Sequence, residues 1–325
     1  MTLKILVVGG AGYIGSHMVQ RLGDEGAQVT TLDNLVSGHR DAVLGGEFVA
    51  GDMADRALLD SLMAARNFDA VMHFASYIEV GESVRLPAKY YRNNVANTLT
   101  LLEAMQRAGI DRFIFSSTAA IFGTPQYTPI DEQHPRLPIN PYGRTKLMVE
   151  DILGDYTRAY DLRAVCLRYF NAAGADPAGR LGERHDPESH LIPLALQTAA
   201  GRRSAISMFG TDYDTPDGTC IRDYVHIADL CDAHWRALQS LLEGGSSAAY
   251  NLGNGEGFSV REVIETVRRV TGRSFVVKEE ARRAGDPPRL VANAHAARTQ
   301  LGWTPRYPAL ETIVEHAWNF ERARR

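Results

Sequence analysis

The sequence has few cysteines and no long apolar run, and each absence narrows the class of protein. Three cysteines, Cys166, Cys220 and Cys231, cannot all pair, and none lies in C-x-x-C spacing. We therefore expect no disulfide framework. No stretch approaches the ~18 consecutive apolar residues of a transmembrane helix, and the apolar run at residues 5–8 is too short for the core of a secretory signal. These absences predict a cytoplasmic protein with no membrane partner.

Positive charge is not in excess either. The chain carries 35 Lys and Arg against 39 Asp and Glu, a formal net charge of −4. Because nucleic-acid-binding domains present a basic footprint, we expect no nucleic-acid partner. With 45% apolar and 23% charged residues over 325 positions, the composition indicates an ordinary globular protein of one large or two moderate domains.

The stretch that organises the chain is residues 4–16, KILVVGGAGYIGS. An apolar strand is predicted at 5–8, and a segment with helical apolar spacing follows a glycine-rich turn. Glycine lets the backbone turn sharply and approach a diphosphate, while the N–H groups of the new helix face the anion. The turn therefore predicts a dinucleotide site, built on Gly9, Gly10, Gly12 and Gly15.

Two acidic residues extend this prediction. Asp33 closes the next predicted strand, residues 28–33, where a carboxylate accepts a hydrogen bond from a ribose 2′-hydroxyl and repels a 2′-phosphate. NAD is thus favoured over NADP as cofactor. Asp52 follows the strand at 48–50, and two roles are open for it: accepting from the adenine amino group, or capping a turn.

Short apolar strands alternate with helices through the first half of the chain. This rhythm predicts an α/β fold, a doubly wound parallel (Rossmann) sheet. The predicted strands are 5–8, 28–33, 48–50, 70–74, 113–115 and 164–168. Their carboxyl ends should line one crevice, which places Gly51-Asp52, Ala75-Ser76 and Ser116-Ser117-Thr118 together.

The second half is less regular and predicts a separate lobe. We expect an NAD-binding Rossmann domain over 1–175 and a smaller α/β substrate lobe over 176–325, with part of 222–252 returning to the first domain. A helix is predicted at about 190–200. Ser259 and Glu262 form a capping box that opens another helix, which Gly272 ends.

Tyr142 and Lys146 carry the candidate chemistry. They lie four residues apart, before apolar positions with helical spacing, so both should share one helix face. An ammonium near a phenol favours the phenolate, and a nicotinamide's positive ring adds to this, which lowers the phenol pKa from ~10. With the hydroxyl of Thr118, the pair forms a proton-handling set that suits alcohol–ketone redox.

The glycine turn, the Y-x-x-x-K pair and the hydroxyl-ending strand together resemble the extended short-chain dehydrogenase/reductase family. Six further segments are similar to the members of that family that invert carbon 4 of UDP-hexoses by transient NAD-dependent oxidation. These segments are HFASYIEVGESV, YYRNNVANTLTLLEAM, FIFSSTAAIFG, PYGRTKLMVE, LRYFNAAGAD and FGTDYDTPDGTCIRDYVHIADL. The resemblance runs nearly end to end. It implies a UDP-sugar substrate and a homodimer that pairs the helices matching 88–107 and 142–160.

The resemblance also implies roles for individual residues. Tyr142 is the base, Lys146 holds the nicotinamide ribose, and Thr118 bonds the sugar 4-hydroxyl. The implied cofactor-binding set is Gly9, Gly12, Tyr13, Ile14, Gly15, Asp33, Asn34, Ser37, Gly38, Asp52, Met53, Phe74, Ala75, Asn94, Tyr142, Lys146 and Tyr169. The implied substrate-binding set is Thr118, Tyr142, Asn171, His190, Leu191, Phe209, Arg222, Arg283, Asp286 and Leu290. Within it, the arginines bind diphosphate, Phe209 lies by the uracil, and Leu290 gates the carbon 2 substituent, where a leucine admits an N-acetyl group.

Two residues depart from the pattern of the family. Ile78 stands where a lysine is frequent, which puts one cofactor contact in doubt. His190 stands where an asparagine is frequent, which leaves a donor in place. His185 and His190 lie in a loop rather than on one helix face, with no third ligand spaced beside them, so we expect no metal.

Two other functions are less well supported. A sugar-nucleotide 4,6-dehydratase, or another NAD-dependent nucleotide-sugar enzyme, is the first alternative; the dehydratase needs an Asp-Glu pair after the active-site threonine, but Ala119-Ala120 follow Thr118. A non-catalytic NAD-sensing protein would lack the tyrosine or the lysine, and both are present.

Overall fold

The computed structural model describes residues 2–283 and 285–324, which form two compact units. The first unit comprises Met1–Gly123, Arg136–Arg168 and Cys231–Tyr250. The second comprises Thr124–Pro135, Tyr169–Leu230 and Asn251–Arg325. The N-terminal part of the first unit therefore ends at residue 168 rather than at the predicted 175. Residues 231–250, which lie within the predicted 222–252, belong to the first unit again.

A short excursion of the chain into the second unit has no counterpart in the sequence-based division. Residues 124–135 belong to the second unit, because Ile130 forms a parallel bridge with Ala292 and its backbone N–H donates to Val291 O at 2.8 Å. A single bridge of this kind leaves no periodic pattern in the sequence. Its position depends on Ala292, a residue far along the chain, so the sequence alone does not reveal it.

The first unit is organised around a seven-stranded sheet in the order β11-β6-β5-β4-β1-β2-β3. The pairs β1/β2, β1/β4, β2/β3 and β4/β5 are parallel. The strands are β1 (Lys4–Val8), β2 (Gln28–Asp33), β3 (Glu47–Ala50), β4 (Ala70–His73), β5 (Arg112–Thr118), β6 (Arg163–Tyr169) and β11 (Ala248–Leu252). This order is that of the predicted doubly wound Rossmann sheet, and the order of successive strands reverses between the parallel neighbours β1 and β4, where such sheets bind ligands.

Helices flank the strands of this sheet. They are α1 (Tyr13–Asp24), α2 (Arg56–Arg66), α3 (Val80–Arg85), α4 (Pro87–Tyr90), α5 (Asn97–Ala108), α6 (Pro141–Tyr160) and α8 (Ile227–Leu242), with a π-helical turn at Tyr91–Ala96. Their apolar faces and the buried faces of the strands form one core, which includes Leu6, Val71, Leu101, Phe113 and Val149. Burying aliphatic and aromatic side chains in this way is the main driving force for folding.

The second unit is built from short strands and longer helices. Its strands are β7 (Asn171–Ala173), β8 (Ala205–Phe209), β9 (Ile221–Arg222), β10 (Tyr224–His226), β12 (Phe258–Ser259), β13 (Val276–Glu280) and β14 (Arg289–Leu290). Its helices are α7 (Leu191–Ala199), α9 (Val260–Thr271), α10 (His295–Gln300) and α11 (Leu310–Ala323). Helices α7, α9 and α11 pack on a common apolar core that includes Ile192, Leu196, Val263, Val267 and Ile313.

Most predicted strands are confirmed within a residue at each end, but one is longer than predicted. Strand β5 continues from Arg112 to Thr118, beyond the predicted 113–115. Polar residues usually mark a strand end, yet Ser117 is fully buried here and its hydroxyl donates to Glu150 Oε1 at 2.6 Å. A hydroxyl that has a hydrogen-bond partner can remain buried within a strand.

Among the described residues, no helix combines the length and the apolar composition that a membrane span requires.

The predicted capping box of α9 is confirmed and gives a test of local stability. Ser259 Oγ accepts from Glu262 N at 3.0 Å, the Glu262 carboxylate accepts from Ser259 N, and Gly272 ends the helix at φ 63°. We expect Ser259→Ala to lower the free energy of unfolding by about 1 kcal/mol, the usual cost of losing an N-cap. Chemical denaturation measures this. Ser204→Ala, in an exposed turn, is the matched control, and an equal loss in both variants contradicts the capping role.

Candidate active site

The glycine turn brings the backbone of β1 against the end of β4. Gly9 adopts φ 83°, and a Cβ placed on it would lie 2.5 Å from Ala75 N. A Cβ on Gly15 would lie 2.1 Å from Gly9 O, so both positions exclude any side chain. Helix α1 starts here with Gly12 as its N-cap, and none of the described side chains caps it. The first N–H groups of any α-helix lack carbonyl partners within the helix, and a helix start of this kind suits an anion.

Asp33 closes β2 beside this turn, as predicted. It is buried, with 8% of its surface exposed, and its carboxylate accepts from Ala11 N at 2.9 Å and Leu35 N at 2.8 Å. Burial raises the pKa of Asp33, and these two backbone bonds act against the increase. A Cβ on Gly38 would lie 3.0 Å from Asp33 Oδ1, so the glycine leaves space at the carboxylate.

Asp52 lies at the end of β3 and acts as a turn cap. Its Oδ1 accepts from Ala54 N at 2.8 Å, and its Oδ2 accepts from the Asn34 side chain at 2.7 Å. The capping role left open by the sequence is therefore present, and the contact with Asn34 joins two of the predicted cofactor residues. Met53, next in the chain, is buried in the core of the first unit.

Asn94 is held entirely by the protein. Its Oδ1 accepts from Tyr77 N and the Asn93 side chain, and its Nδ2 donates to Tyr77 O and to Thr145 Oγ1, at 2.9 to 3.2 Å. Four bonds use the whole capacity of an amide side chain. Asn94 lies in the π-helical turn, and its bonds to Tyr77 hold the segment that follows β4 in place. Such turns are common at functional sites. Ile78, which follows this segment, is 36% exposed and brings no positive charge.

Tyr142 and Lys146 share the buried face of α6, as predicted. Asn140 caps this helix by accepting from Gly143 N at 2.8 Å, and Pro141 occupies the first turn. Tyr142 is 7% exposed and Lys146 is 2% exposed. The face that carries them also buries Val149 into the core, because residues three and four apart lie on the same side of a helix.

The Lys146 ammonium links α6 to two strand ends. Its Nζ donates to Ser76 Oγ at 2.9 Å, just after β4, and to Ser116 O at 2.7 Å in β5. Burial lowers the pKa of Lys146 to about 7, against the opposing effect of the Glu150 carboxylate. Its charge is therefore sensitive to any charged group that binds nearby.

The expectation that the pKa of Tyr142 lies below its usual value is wrong for the protein without a bound cofactor. Burial raises the pKa of Tyr142 to about 12, with a smaller contribution from the Glu79 carboxylate, and a hydrogen bond with the Thr118 side chain acts against it. Thr118 closes β5 and is 7% exposed. The contact between Thr118 and Tyr142 brings together two of the three predicted catalytic residues.

A buried ionic network behind this set is not evident from the sequence. Glu150 accepts from Ser117 Oγ at 2.6 Å and from Arg168 Nη2 at 2.6 Å, and Arg168 Nε adds a second contact at 3.0 Å. Glu150 lies four residues after Lys146 on α6 and raises its pKa. That spacing is the one sequence signal for its role.

Predicted substrate residues in the second unit lie together. Arg222 forms a salt bridge with Asp286, and Leu290 pairs with Arg222 in the register of β14 and β9. The Arg283 guanidinium stacks over the Phe209 ring at 4.0 Å from its centroid. Asp286 N donates to Arg283 O at 3.3 Å, which joins the two pairs.

The remaining predicted substrate residues lie at the starts of β7 and α7. Asn171 begins β7, and its backbone N–H donates to Asp223 O at 3.0 Å, next to Arg222. Leu191 is the first residue of α7, with His190 as its N-cap. The other half-buried or exposed members of the cofactor set are Tyr13, Ile14, Ser37, Phe74 and Tyr169.

The reason given by the sequence for expecting no metal, the lack of a third ligand, is wrong. Glu183 and Glu188 lie beside both histidines: His190 Nδ1 is 2.7 Å from Glu183 Oε1, and His185 Nδ1 is 3.0 Å from the same oxygen. The loop folds back on itself, so residues with no regular spacing meet.

Comparison with known proteins agrees with this geometry. Residues 5–253 match the NAD dependent epimerase/dehydratase family. UDP-glucose 4-epimerase from Rhizobium meliloti is 54% identical over 321 residues, which cover 99% of this chain and 98% of that protein. The crystal structure of UDP-glucose 4-epimerase from Brucella ovis in complex with NAD superposes with a TM-score of 0.96 at 51% identity, covering 98% of this chain and 99% of that one.

A further solved structure widens the range of related substrates. The UDP-Glc/GlcNAc 4-epimerase from Campylobacter jejuni superposes with a TM-score of 0.87 at 44% identity and covers 99% of both chains. Since the family match spans most of the sequence and the relatives are matched end to end, the chain belongs to the NAD dependent epimerase/dehydratase family.

Proposed function

We propose that this protein is an NAD-dependent epimerase that inverts carbon 4 of UDP-hexoses and so interconverts UDP-galactose and UDP-glucose. One observation carries the proposal. The Lys146 ammonium is bonded to Ser76, the residue directly after Ala75, whose backbone packs against Gly9 of the glycine turn. The dinucleotide turn and the acid–base helix are therefore joined through two consecutive residues, and relatives matched over nearly their whole length are named UDP-glucose 4-epimerase.

The residues present fit the cofactor of the family. The side-chain-free cradle of Gly9 and Gly15 suits a pyrophosphate, and the carboxylate of Asp33 suits a ribose diol. We infer that Lys146 holds the nicotinamide ribose. When bound, NAD reversibly accepts the hydride of carbon 4, and its positive ring favours the phenolate form of Tyr142.

Tyr142 and Thr118 move the proton in the proposed reaction. The Tyr142 oxygen takes the proton of the sugar 4-hydroxyl as carbon 4 becomes a ketone, and it returns the proton when hydride is added to the opposite face. Thr118, in contact with Tyr142, bonds the same hydroxyl. We infer that Arg222, Arg283 and Phe209 bind UDP, since guanidinium groups suit phosphate oxygens and an aromatic ring suits uracil.

The dehydratase alternative has less support. Removing water from carbons 5 and 6 needs an acid and a base after Thr118, and the chain continues there with Ala119-Ala120 in a 3₁₀ turn.

We also propose a homodimer. Its support is a set of exposed apolar side chains on or beside the helices that the family pairs, Val84, Leu86, Met148 and Tyr160, which are 39 to 62% exposed in the single chain. Sedimentation of the untagged chain measures the assembly state.

A cytoplasmic location remains our proposal as well. It is supported by the three cysteines, which are buried and form no disulfide among the described residues.

The role of Tyr142 is tested by removing its oxygen. We expect Tyr142→Phe to lower the conversion of UDP-galactose to UDP-glucose by at least ~10²-fold, the usual loss when a general base is removed, while NAD stays bound. Purified protein is assayed without added NAD. Tyr127→Phe, on an exposed tyrosine outside the proposed site and the proposed dimer interface, should leave turnover unchanged. Near-normal turnover in Tyr142→Phe rules out the proposed acid–base chemistry.

The cofactor assignment is tested at Asp33. We expect Asp33→Asn to weaken NAD binding by about 10- to 100-fold, because a charged hydrogen-bond partner of the ribose is lost, and to reduce the preference for NAD over NADP. Calorimetric titration with each dinucleotide measures both effects. Asp24→Asn, at the exposed end of α1, is the control. Equal affinity of the wild type for NADP contradicts the assignment.

Substrate breadth is tested at Leu290. We expect the wild type to convert UDP-N-acetylgalactosamine as well as UDP-galactose, because leucine leaves room that a tyrosine would fill, and overpacking by even a methylene costs about 1–3 kcal/mol. The related UDP-Glc/GlcNAc 4-epimerase supports this breadth. Leu290→Tyr should remove the N-acetyl activity selectively, whereas the volume-conserving Leu290→Met should keep both. Equal loss of both activities in Leu290→Tyr counts against a gate.

A further inference from the structure

Four chemically suitable side chains converge in the loop before α7. Glu183, His185, Glu188 and His190 each present one ligand atom, and these atoms all lie within 4.8 Å of one another. His190 Nδ1 is 2.7 Å from Glu183 Oε1 and 3.2 Å from Glu188 Oε1. His185 Nδ1 is 3.0 Å from Glu183 Oε1 and 3.8 Å from Glu188 Oε2. Each imidazole thus faces both carboxylates.

The spacing is close to that of ligands around a small divalent ion. Four ligands at Zn–N and Zn–O distances of ~2.0–2.2 Å in a tetrahedron are separated by about 3.3–3.6 Å. Three of the nitrogen–oxygen separations, 2.7, 3.0 and 3.2 Å, are shorter than this, and the fourth, 3.8 Å, is longer. Side-chain rotations that lengthen the three short separations would centre an ion among the four atoms.

A pure ion-pair cluster is the alternative explanation of the same contacts. It needs two protonated imidazoles whose Nδ1 atoms lie 2.7 and 3.0 Å from the same oxygen of Glu183. Two like charges so close together repel each other. One central cation would instead accept a lone pair from each imidazole and balance both carboxylates with its own double charge.

Burial and local hydrogen bonds prepare the carboxylates for such a role. The side chains of Glu188 and Glu183 are 4% and 6% exposed, while His190 is 39% exposed and leaves a way in. Glu188 Oε1 also accepts from Ser189 N at 2.8 Å and from His190 N at 2.9 Å. Hydrogen bonds of this kind orient a ligating carboxylate and support its affinity for metal.

We propose that Glu183, His185, Glu188 and His190 form a binding site for Zn²⁺. Two imidazole nitrogens and two carboxylate oxygens make a donor set that suits zinc, whereas Ca²⁺ and Mg²⁺ take oxygen ligands. With all four positions filled by the protein, the site is of the closed, structural kind. It would fasten the loop that leads into α7, and it goes beyond the proposed epimerase activity.

The site also limits the role of His190. Its Nδ1 would be a metal ligand, so a contact with UDP-sugar would have to use Nε2. The expected asparagine of the family has no imidazole to contribute, so the zinc site depends on this departure.

The test uses the full-length, untagged chain after treatment with a chelator. We expect it to take up one Zn²⁺ per chain in competition with a chromophoric chelator, and to bind Co²⁺ with the intense visible absorption of a four-coordinate ion. Glu183→Gln and His185→Gln should each weaken Zn²⁺ binding by at least 10-fold, since even loss of an outer hydrogen-bond partner costs about 10- to 100-fold. Zn²⁺ should raise the melting temperature of the wild type but not that of Glu183→Gln or His185→Gln.

His295→Gln is the matched control, because this histidine is exposed and lies outside the cluster. It should bind Zn²⁺ as the wild type does. Glu188→Gln replaces Glu183→Gln if the latter fails to fold by circular dichroism. Less than one equivalent bound by the wild type, or equal affinity in the cluster variants and His295→Gln, overturns the proposal and identifies the cluster as an ion-pair network. Both readouts are independent of epimerase activity.

Discussion

The close backbone approach of Gly9 to Phe74 and Ala75 is the contact on which the chemistry of the first unit depends. It occurs between β1 and β4, where the order of successive strands reverses, and sheets of this kind have a crevice at the carboxyl ends of the strands at such a point. Since a Cβ on Gly9 would meet Ala75 N at 2.5 Å, only glycine allows the two strand ends to come together. The hydroxyl of Ser76, the next residue, accepts a hydrogen bond from Lys146, so a shift of the turn would move this lysine.

Buried charge is the second constraint on this unit. Lys146, Glu150 and Arg168 are each at most 8% exposed, and burial of an unpaired charge would be costly. The bidentate contact of Arg168 with Glu150 and the bonds of Lys146 to Ser76 and Ser116 offset this cost. The same burial that stabilises one geometry also lowers the pKa of Lys146 and raises that of Tyr142. Both groups are thereby responsive to the charge of a bound cofactor, as proton transfer at neutral pH requires.

In the second unit, the residues proposed to bind UDP already contact one another. Arg222 is paired with Asp286, and Arg283 lies on the Phe209 ring. A diphosphate would therefore share Arg222 with a carboxylate, which holds the guanidinium in place before a ligand arrives. Glu183, His185, Glu188 and His190 form a second group of acidic and basic side chains in this unit, contained within eight residues of one loop.

The sequence by itself determined the local features: the glycine turn, Asp33 at the end of β2, the shared helix face of Tyr142 and Lys146, and the capping box of α9. Each depends on spacing along one element, which strand and helix periods make readable. Only the tertiary structure decided the four bonds of Asn94, the raised pKa of Tyr142, the pairing of Arg222 with Asp286, and the meeting of two glutamates with two histidines. These features depend on burial and on contacts between residues without periodic spacing, and such contacts exist only once the chain has folded.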